Sequence, residues 1–362
     1  MLSLPLAEKN RVVIACAGAG KTTKIVKESI ELNKKILIIT YTNEGEEEIK
    51  QGFYKENGFI PQNIKIKTWY SFLLEHCVRP YQNLIYPEEI LIKFDPDIIR
   101  NKKSKYKKTD YQYFVNKKGY VYKDYVSNFA FELNKKSNNL VVKRLEKIFE
   151  VIMIDEVQDT KGWDYDFIAE LFKTKIRVFV VGDPRQDILR TNYAGNKNNS
   201  KDIFTYLQEK KDKNQLDFCT VEMAETFRCC KELCDFINNL GLFPSYPNMI
   251  SSTQYSAEID LLGVGKINEN DLYDFIKKYH PVILRYNKGI DTKNLPAINI
   301  GYSKGRTYDR VLLFGSKTMV NFLNNSISSF EDKQRLYVAL TRARFSFHYF
   351  DDSVENSQDT LF

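Results

Sequence analysis

Residues 15–22 read Ala-Cys-Ala-Gly-Ala-Gly-Lys-Thr, and what surrounds this stretch decides the fold. The run Val12-Val13-Ile14-Ala15 before it is apolar and β-branched, the form of a buried strand. Lys24-Ile25-Val26-Lys27-Glu28-Ser29-Ile30 after it carries apolar residues at helical spacing. A glycine-rich turn between strand and helix aims backbone N–H groups and a helix N-terminus at an anion. Ala15, Cys16, Ala17, Gly18, Ala19 and Gly20 supply that turn. Lys21 adds a point charge for β- and γ-phosphates, and Thr22, followed by Thr23, brings a hydroxyl for Mg²⁺. The stretch departs from the strict phosphate-loop pattern at its first position, where Ala15 stands in place of Gly.

Two further strands point to the same chemistry. Val151-Ile152-Met153-Ile154 is an apolar run ending in Asp155-Glu156, as in a buried parallel strand whose C-terminal end meets a ligand. Asp155 can hold Mg²⁺, and Glu156 can orient and deprotonate an attacking water. Arg177-Val178-Phe179-Val180-Val181 runs into Gly182-Asp183-Pro184-Arg185-Gln186, which places Gln186 to sense a γ-phosphate. Three strands delivering polar residues to one sheet edge is an arrangement for nucleoside triphosphate hydrolysis.

Composition sets the outer bounds. With 362 residues, about two or three domains are expected. No window approaches the roughly 18 apolar residues of a membrane span, and the first nine residues reach the phosphate-loop strand too soon for a signal peptide. A soluble, cytoplasmic protein is expected. The net charge of +7 is compatible with nucleic acid without demanding it. The six cysteines form no CxxC pair. Cys219, Cys229, Cys230 and Cys234 read as buried thiols in preference to a metal cluster.

Taken in chain order, the motifs resemble those of superfamily 1 helicases of the UvrD/Rep/PcrA-like branch. Ala15 to Thr22 is similar to motif I, Ile39-Thr40-Tyr41-Thr42-Asn43 to motif Ia and Lys67-Thr68-Trp69-Tyr70-Ser71-Phe72 to motif Ib. Asp155-Glu156-Val157-Gln158-Asp159-Thr160 is similar to motif II and Gly182 to Gln186 to motif III. Thr226-Phe227-Arg228 resembles motif IV, Ser303-Lys304-Gly305-Arg306-Thr307-Tyr308-Asp309 motif V, and Tyr337-Val338-Ala339-Leu340-Thr341-Arg342-Ala343-Arg344 motif VI. The later motifs disfavour a phosphate-loop kinase or GTPase.

The resemblance implies an α/β fold of two RecA-like domains, with ATP and Mg²⁺ bound in the cleft between them. Lys21, Asp155, Glu156, Gln186, Arg228 and Arg342 are then the catalytic set, with Mg²⁺ on Thr22 and Asp155. Phe227 stacks on adenine, and Gly305 lies by the nucleotide. Tyr41, Thr42, Asn43, Thr68, Trp69, Tyr70, Tyr193 and Ser303 fall to nucleic acid, and aromatic rings there can stack on any base. The implied function is an ATP-dependent translocase or helicase on single-stranded or partly duplex DNA, moving 3′→5′. The alternative is a nucleotide-gated ATPase subunit regulating a separately encoded nuclease, as in bacterial antiphage defence.

Departures from the family pattern shape these expectations. No glutamine precedes the phosphate loop to recognise adenine, so triphosphate is the firmer expectation. Leu189 and Thr191 stand where a base-stacking aromatic is usual, with Tyr193 close by. Lys288 to Ile298 leave room for a turn where the family carries a long subdomain. The expected domains are 1–75 with 146–215, a small helical insertion over 76–145, and 216–362. The insertion mixes basic and aromatic residues (Arg100, Lys107, Lys108, Tyr111, Tyr113 and Tyr122 among them), which reads equally as a phosphate-lined groove or a solvated loop.

Overall fold

The runs Arg11-Val12-Val13-Ile14-Ala15 and Ile36-Leu37-Ile38-Ile39-Thr40 are buried at every position, as strands covered on both faces must be. A computed structural model describes residues 10–88, 91–100, 106–188, 201–214, 216–253, 255, 259–325 and 327–353. The chain divides into two compact units. One comprises Met1–Val13, Lys21–Pro184 and Leu189–Cys219; the other comprises Ile14–Gly20, Arg185–Ile188 and Thr220–Phe362.

The strands in chain order are β1 (Arg11–Ala15), β2 (Ile36–Thr40), β3 (Ile64–Thr68), β4 (Lys93–Phe94), β5 (Tyr120–Val121), β6 (Val151–Ile154), β7 (Arg177–Gly182), β8 (Asp217–Met223), β9 (Glu225–Thr226), β10 (Ile250–Ser251), β11 (Gly263–Ile267), β12 (Val282–Arg285), β13 (Ile298–Asn299), β14 (Tyr308–Phe314) and β15 (Ala343–Phe350). A six-stranded sheet has the order β3-β2-β6-β7-β1-β8. β2 pairs in parallel with β3 and β6, and β6 with β7. Parallel strands end on one edge, so Asp155 after β6 and Asp183 after β7 emerge together.

The insertion region differs from the helical expectation. Helices Val126–Lys136 and Leu140–Ile148 are there, but β4 and β5 also form a two-stranded parallel ribbon. Phe94 and Val121 pair across it, and neither two-residue strand is long enough to announce itself by alternation.

The second unit holds the five-stranded sheet β11-β15-β14-β12-β13, parallel throughout. Between Arg285 and Ile298 the chain makes turns only, as the short spacing predicts. Leu261, Ile267, Leu272, Phe275, Ile283, Leu312 and Phe314 form a core on one face of this sheet. No helix among the described residues is long and apolar enough to cross a membrane. Cys16, Cys77, Cys229, Cys230 and Cys234 are buried free thiols, and no metal-binding cluster of His, Cys, Asp or Glu occurs among the described residues.

His348 sits in the second sheet fully buried, paired in register with Leu312 and packed 4.7 Å from the Phe275 ring. Neither ring nitrogen has a hydrogen-bond partner among the described residues. Burial, and then the Arg310 charge, lower its pKa from 6.5 to about 4. The unfolded chain therefore takes up a proton that the folded chain refuses. Stability is fully present above the unfolded pKa and falls as pH drops from about 6.5 towards 4, by at most about 1.4 kcal/mol per pH unit. Urea unfolding at pH 7.5 and pH 5 should show a smaller acid loss for His348→Leu than for wild type. Equal losses would mean that this imidazole is not held neutral.

Candidate nucleotide site and nucleic-acid face

In the first unit, helix Lys21–Leu32 starts beside the end of β6. The Thr22 hydroxyl donates to the Asp155 carboxylate at 3.1 Å, and Lys21 Nζ lies 3.5 Å from Glu156 Oε1. Asp155 is 3% exposed. Burial, and then the adjoining Glu156 carboxylate, raise its pKa to about 7, against the pull of Lys21 and of hydrogen bonds from the Glu156 N–H and Thr22. A cation there would favour the ionised carboxylate that burial opposes, and Asp155 with the Thr22 hydroxyl offers the hard oxygens that suit Mg²⁺.

Glu156 has a left-handed backbone, φ +52, a costly conformation for a side chain of its size. It is pinned there. The Glu156 N–H donates to Asp155 Oδ1 at 2.8 Å, and the Gln158 amide donates to the Glu156 carboxylate. Gln158 Oε1 in turn accepts the Asp183 N–H at 3.0 Å. Gly182 makes this possible, because a Cβ there would stand 2.2 Å from Gln158 Oε1. Sequence reading missed Gln158 and Gly182 as site residues. The available signal was an amide, able to donate and accept at once, within the acidic stretch.

In the second unit, the turn of residues 15–20 is held by backbone bonds. The Cys16 N–H donates to Met223 O at 2.9 Å, the Ala17 N–H to the Tyr337 hydroxyl at 3.3 Å, and the Phe227 N–H to Gly18 O at 2.9 Å. Gly18 and Gly20 have φ of +74 and +75, a conformation natural to glycine. A Cβ on Gly18 would stand 2.6 Å from Arg228 Cβ. Phe227 is 55% exposed beside Gly20, so its ring is available for stacking. Arg342 is 1% exposed and donates to Val338 O and Arg306 O at 3.1 Å and to Gln186 Oε1 at 3.2 Å. Arg228 donates to Thr341 O at 3.1 Å. Gln186, Arg228 and Arg342 are thus assembled around the end of helix Lys333–Leu340. Gly305 has φ +80 with open space around its Cα.

The residues expected at nucleic acid divide. The Tyr41 and Tyr70 hydroxyls hydrogen-bond at 2.8 Å, and their rings meet edge to face. Tyr70 also stacks on Phe94 with centroids 5.1 Å apart, a partner that the sequence did not reveal. Thr42 caps helix Asn43–Asn57, with Asn43 exposed. Trp69 is corrected: at 1% exposure it packs against Phe72 and Phe167 and offers no ring to a base. Thr68 and Ser303 are also buried, Thr68 capping the helix that Trp69 begins and Ser303 donating to Ile300 O. Tyr193 lies outside the described residues.

The UvrD/REP helicase N-terminal domain matches residues 61–206. Gabija protein GajB of Bacillus cereus (strain VD045) is 29% identical over 244 residues, 63% of this chain and 46% of that protein. ATP-dependent DNA helicase Rep of Buchnera aphidicola subsp. Acyrthosiphon pisum (strain APS) is 24% identical over 378 residues, 86% of this chain and 56% of that protein. The chain thus spans about half the length of these relatives. An arterivirus nonstructural protein 10 helicase, solved in complex with DNA, shares the fold with a TM-score of 0.50 and 15% identity. The likeness covers 97% of this chain and 63% of that one.

The Gly182–Gln158–Glu156 contact makes a specific prediction. Gly182→Ala displaces the Gln158 amide and loosens the Glu156 carboxylate, so nucleotide hydrolysis falls about tenfold or more, within the range of general-base contributions. Steady-state kcat and equilibrium binding of a fluorescent nucleotide analogue separate the effects. Unchanged kcat would remove Gln158 from the site.

Proposed function

We propose that the chain, similar to the UvrD/REP helicase N-terminal domain over residues 61–206, is a UvrD-like helicase: an ATP-driven motor that translocates 3′→5′ on single-stranded DNA and separates duplex ahead of it. The observation that carries this reading is the juxtaposition of Lys21 and Thr22 with Asp155 and Glu156 at one sheet edge. Bound Mg²⁺, held by Thr22 and Asp155, would neutralise charge on the β- and γ-phosphates. Lys21 exchanges its Glu156 partner for phosphate oxygens. Glu156, held by Gln158, then accepts the proton of the attacking water. Arg228 and Arg342 stabilise the charge on the departing phosphoryl group. Arg342 is already fixed by backbone carbonyls, so orienting it costs little at that moment. Gln186, bonded to Arg342, reports the γ-phosphate to the rest of the unit. Phe227 stacks on the base, and Tyr41, Tyr70 and Asn43 meet the DNA strand. A cytoplasmic setting, where ATP and DNA meet, goes with this function.

A second reading is favoured by the likeness to a Gabija protein. In it, the chain is a nucleotide-gated ATPase subunit of an antiphage system and controls a separately encoded nuclease.

ATP hydrolysis with and without single-stranded DNA, over a salt series, tests the motor. Wild type should be stimulated by DNA, less so as salt rises, because phosphate contacts release counterions. Lys21→Ala and Glu156→Gln should each lower turnover by about a hundredfold or more. Full activity in Glu156→Gln would overturn the site, and absent DNA stimulation would overturn the motor. Strand displacement seen only after a partner nuclease is added would select the second reading.

A further inference from the structure

We propose that Asp164 is a positioning residue that couples the nucleotide loop at Asp155-Glu156 to the nucleic-acid rings Tyr41 and Tyr70. The proposal rests on the motor reading above and adds a route by which one unit, by itself, links its two ligands.

The route is a run of short contacts. From Glu156 the chain is tied turn by turn. The Asp159 N–H donates to Glu156 O at 2.9 Å and the Thr160 N–H to Val157 O at 3.1 Å. The Lys161 N–H then donates to Asp164 Oδ2 at 2.9 Å. On its other oxygen, Asp164 accepts the Trp69 indole N–H at 2.9 Å and the Ser127 hydroxyl. Trp69 opens the helix Trp69–Phe72, whose next residue is Tyr70, and Tyr70 holds Tyr41 through its hydroxyl and Phe94 through its ring.

Asp164 is 2% exposed, so this carboxylate takes no part in surface recognition. Burial raises its pKa to about 6, and the Ser127, Lys161 and Trp69 donors work against that rise. A buried charge is kept only where several donors hold it, and donors held by a charge are held firmly. Three elements converge on this one side chain: the loop after the catalytic acids, the helix bearing Ser127 from the insertion, and the helix bearing Trp69. Trp69 is packed between Phe72 and Phe167 and cannot shift independently of them. In the motor reading, a phosphate that draws Lys21 from Glu156 changes the load on the first link. Asp164 carries that change to Trp69, and thus to the rings where a base would stack.

The two ends of the link can be cut separately. In Asp164→Asn, the oxygen still accepts from Trp69 and Ser127, but the amide nitrogen faces the Lys161 N–H, donor against donor. In Trp69→Phe, the ring stays in the core and the Lys161 bond survives, while the indole donor is lost. Single-stranded oligothymidylate affinity is measured with and without a non-hydrolysable ATP analogue, together with ATPase rate with and without the oligonucleotide. For Asp164→Asn, the rate without DNA should stay within about twofold of wild type. DNA stimulation should fall about tenfold, and the nucleotide-dependent ratio of DNA affinities should move towards one, in line with ordinary coupling strengths. Trp69→Phe should lose the same coupling, and the double variant should lose no more than either single one. A merely structural role would lower thermal stability and leave the affinity ratio intact, and an intact ratio in both single variants overturns the proposal. Wild type that is indifferent to DNA overturns the motor reading and this inference with it. Stimulated wild type beside equally stimulated variants overturns this inference alone.

Discussion

Two adjacent carboxylates at the end of a buried strand are the constraint on which the candidate nucleotide site depends. Asp155 is desolvated and lies next to Glu156, and both effects oppose its charge. Like charges at such separation are tolerable only if cations and donors are brought to them. The parallel sheet does this by setting the start of helix Lys21–Leu32 against β6, so that Lys21 meets Glu156 and Thr22 meets Asp155. The left-handed turn at Glu156 sends the second acid in its own direction, and Gln158 keeps it there. The strain of that turn is local, and it is offset by hydrogen bonds on both sides of the residue.

The second unit solves a related problem with cations. Arg342 is almost wholly buried, and its guanidinium is oriented by backbone carbonyls of its own helix and of the neighbouring loop. These bonds fix the direction of the guanidinium before any ligand arrives. Arg228 donates to the carbonyl of Thr341, the neighbour of Arg342, so both guanidiniums are held near residues 341–342, with Gln186 bonded to the second. Tyr337, one turn earlier, has the Arg185 guanidinium 5.0 Å from its ring centre and receives the Ala17 N–H.

Much of the fold was legible because parallel strands buried on both faces are written as continuous β-branched runs. β6 and β7 read that way, and the apolar run of β1 is likewise buried at every position. The phosphate-loop turn and the acids after β6 were legible for the same reason, since their meaning lies in local spacing. Gln158 and Gly182 were not, because their contact joins the ends of different strands and no spacing within either one records it. Trp69 and Tyr70 show the limit most plainly. Both are aromatic neighbours in one motif, yet one is core and the other half-buried beside Tyr41. A four-residue helix is too short for periodicity to say which side faces inward.

The basic and aromatic residues of the insertion left two readings open, and the structure narrows them. The Arg100 guanidinium lies 4.0 Å from the Tyr113 ring centre and 4.9 Å from that of Tyr125. Lys108 sits 4.0 Å from the ring centre of Trp163 and 3.6 Å from Glu132. These cations and rings already engage one another, so a phosphate or base that took them would have to replace contacts of comparable strength. Phe94 is different, because it extends the pair Tyr41–Tyr70 from the insertion side. Among the described residues, Tyr41, Tyr70 and Phe94 thus form one group of rings near β2, β3 and β4, while Arg100 and Lys108 are engaged with rings of their own. In the proposed motor the rings of Tyr41, Tyr70 and Phe94 would meet the DNA strand, and the net charge of +7 would serve its long-range attraction.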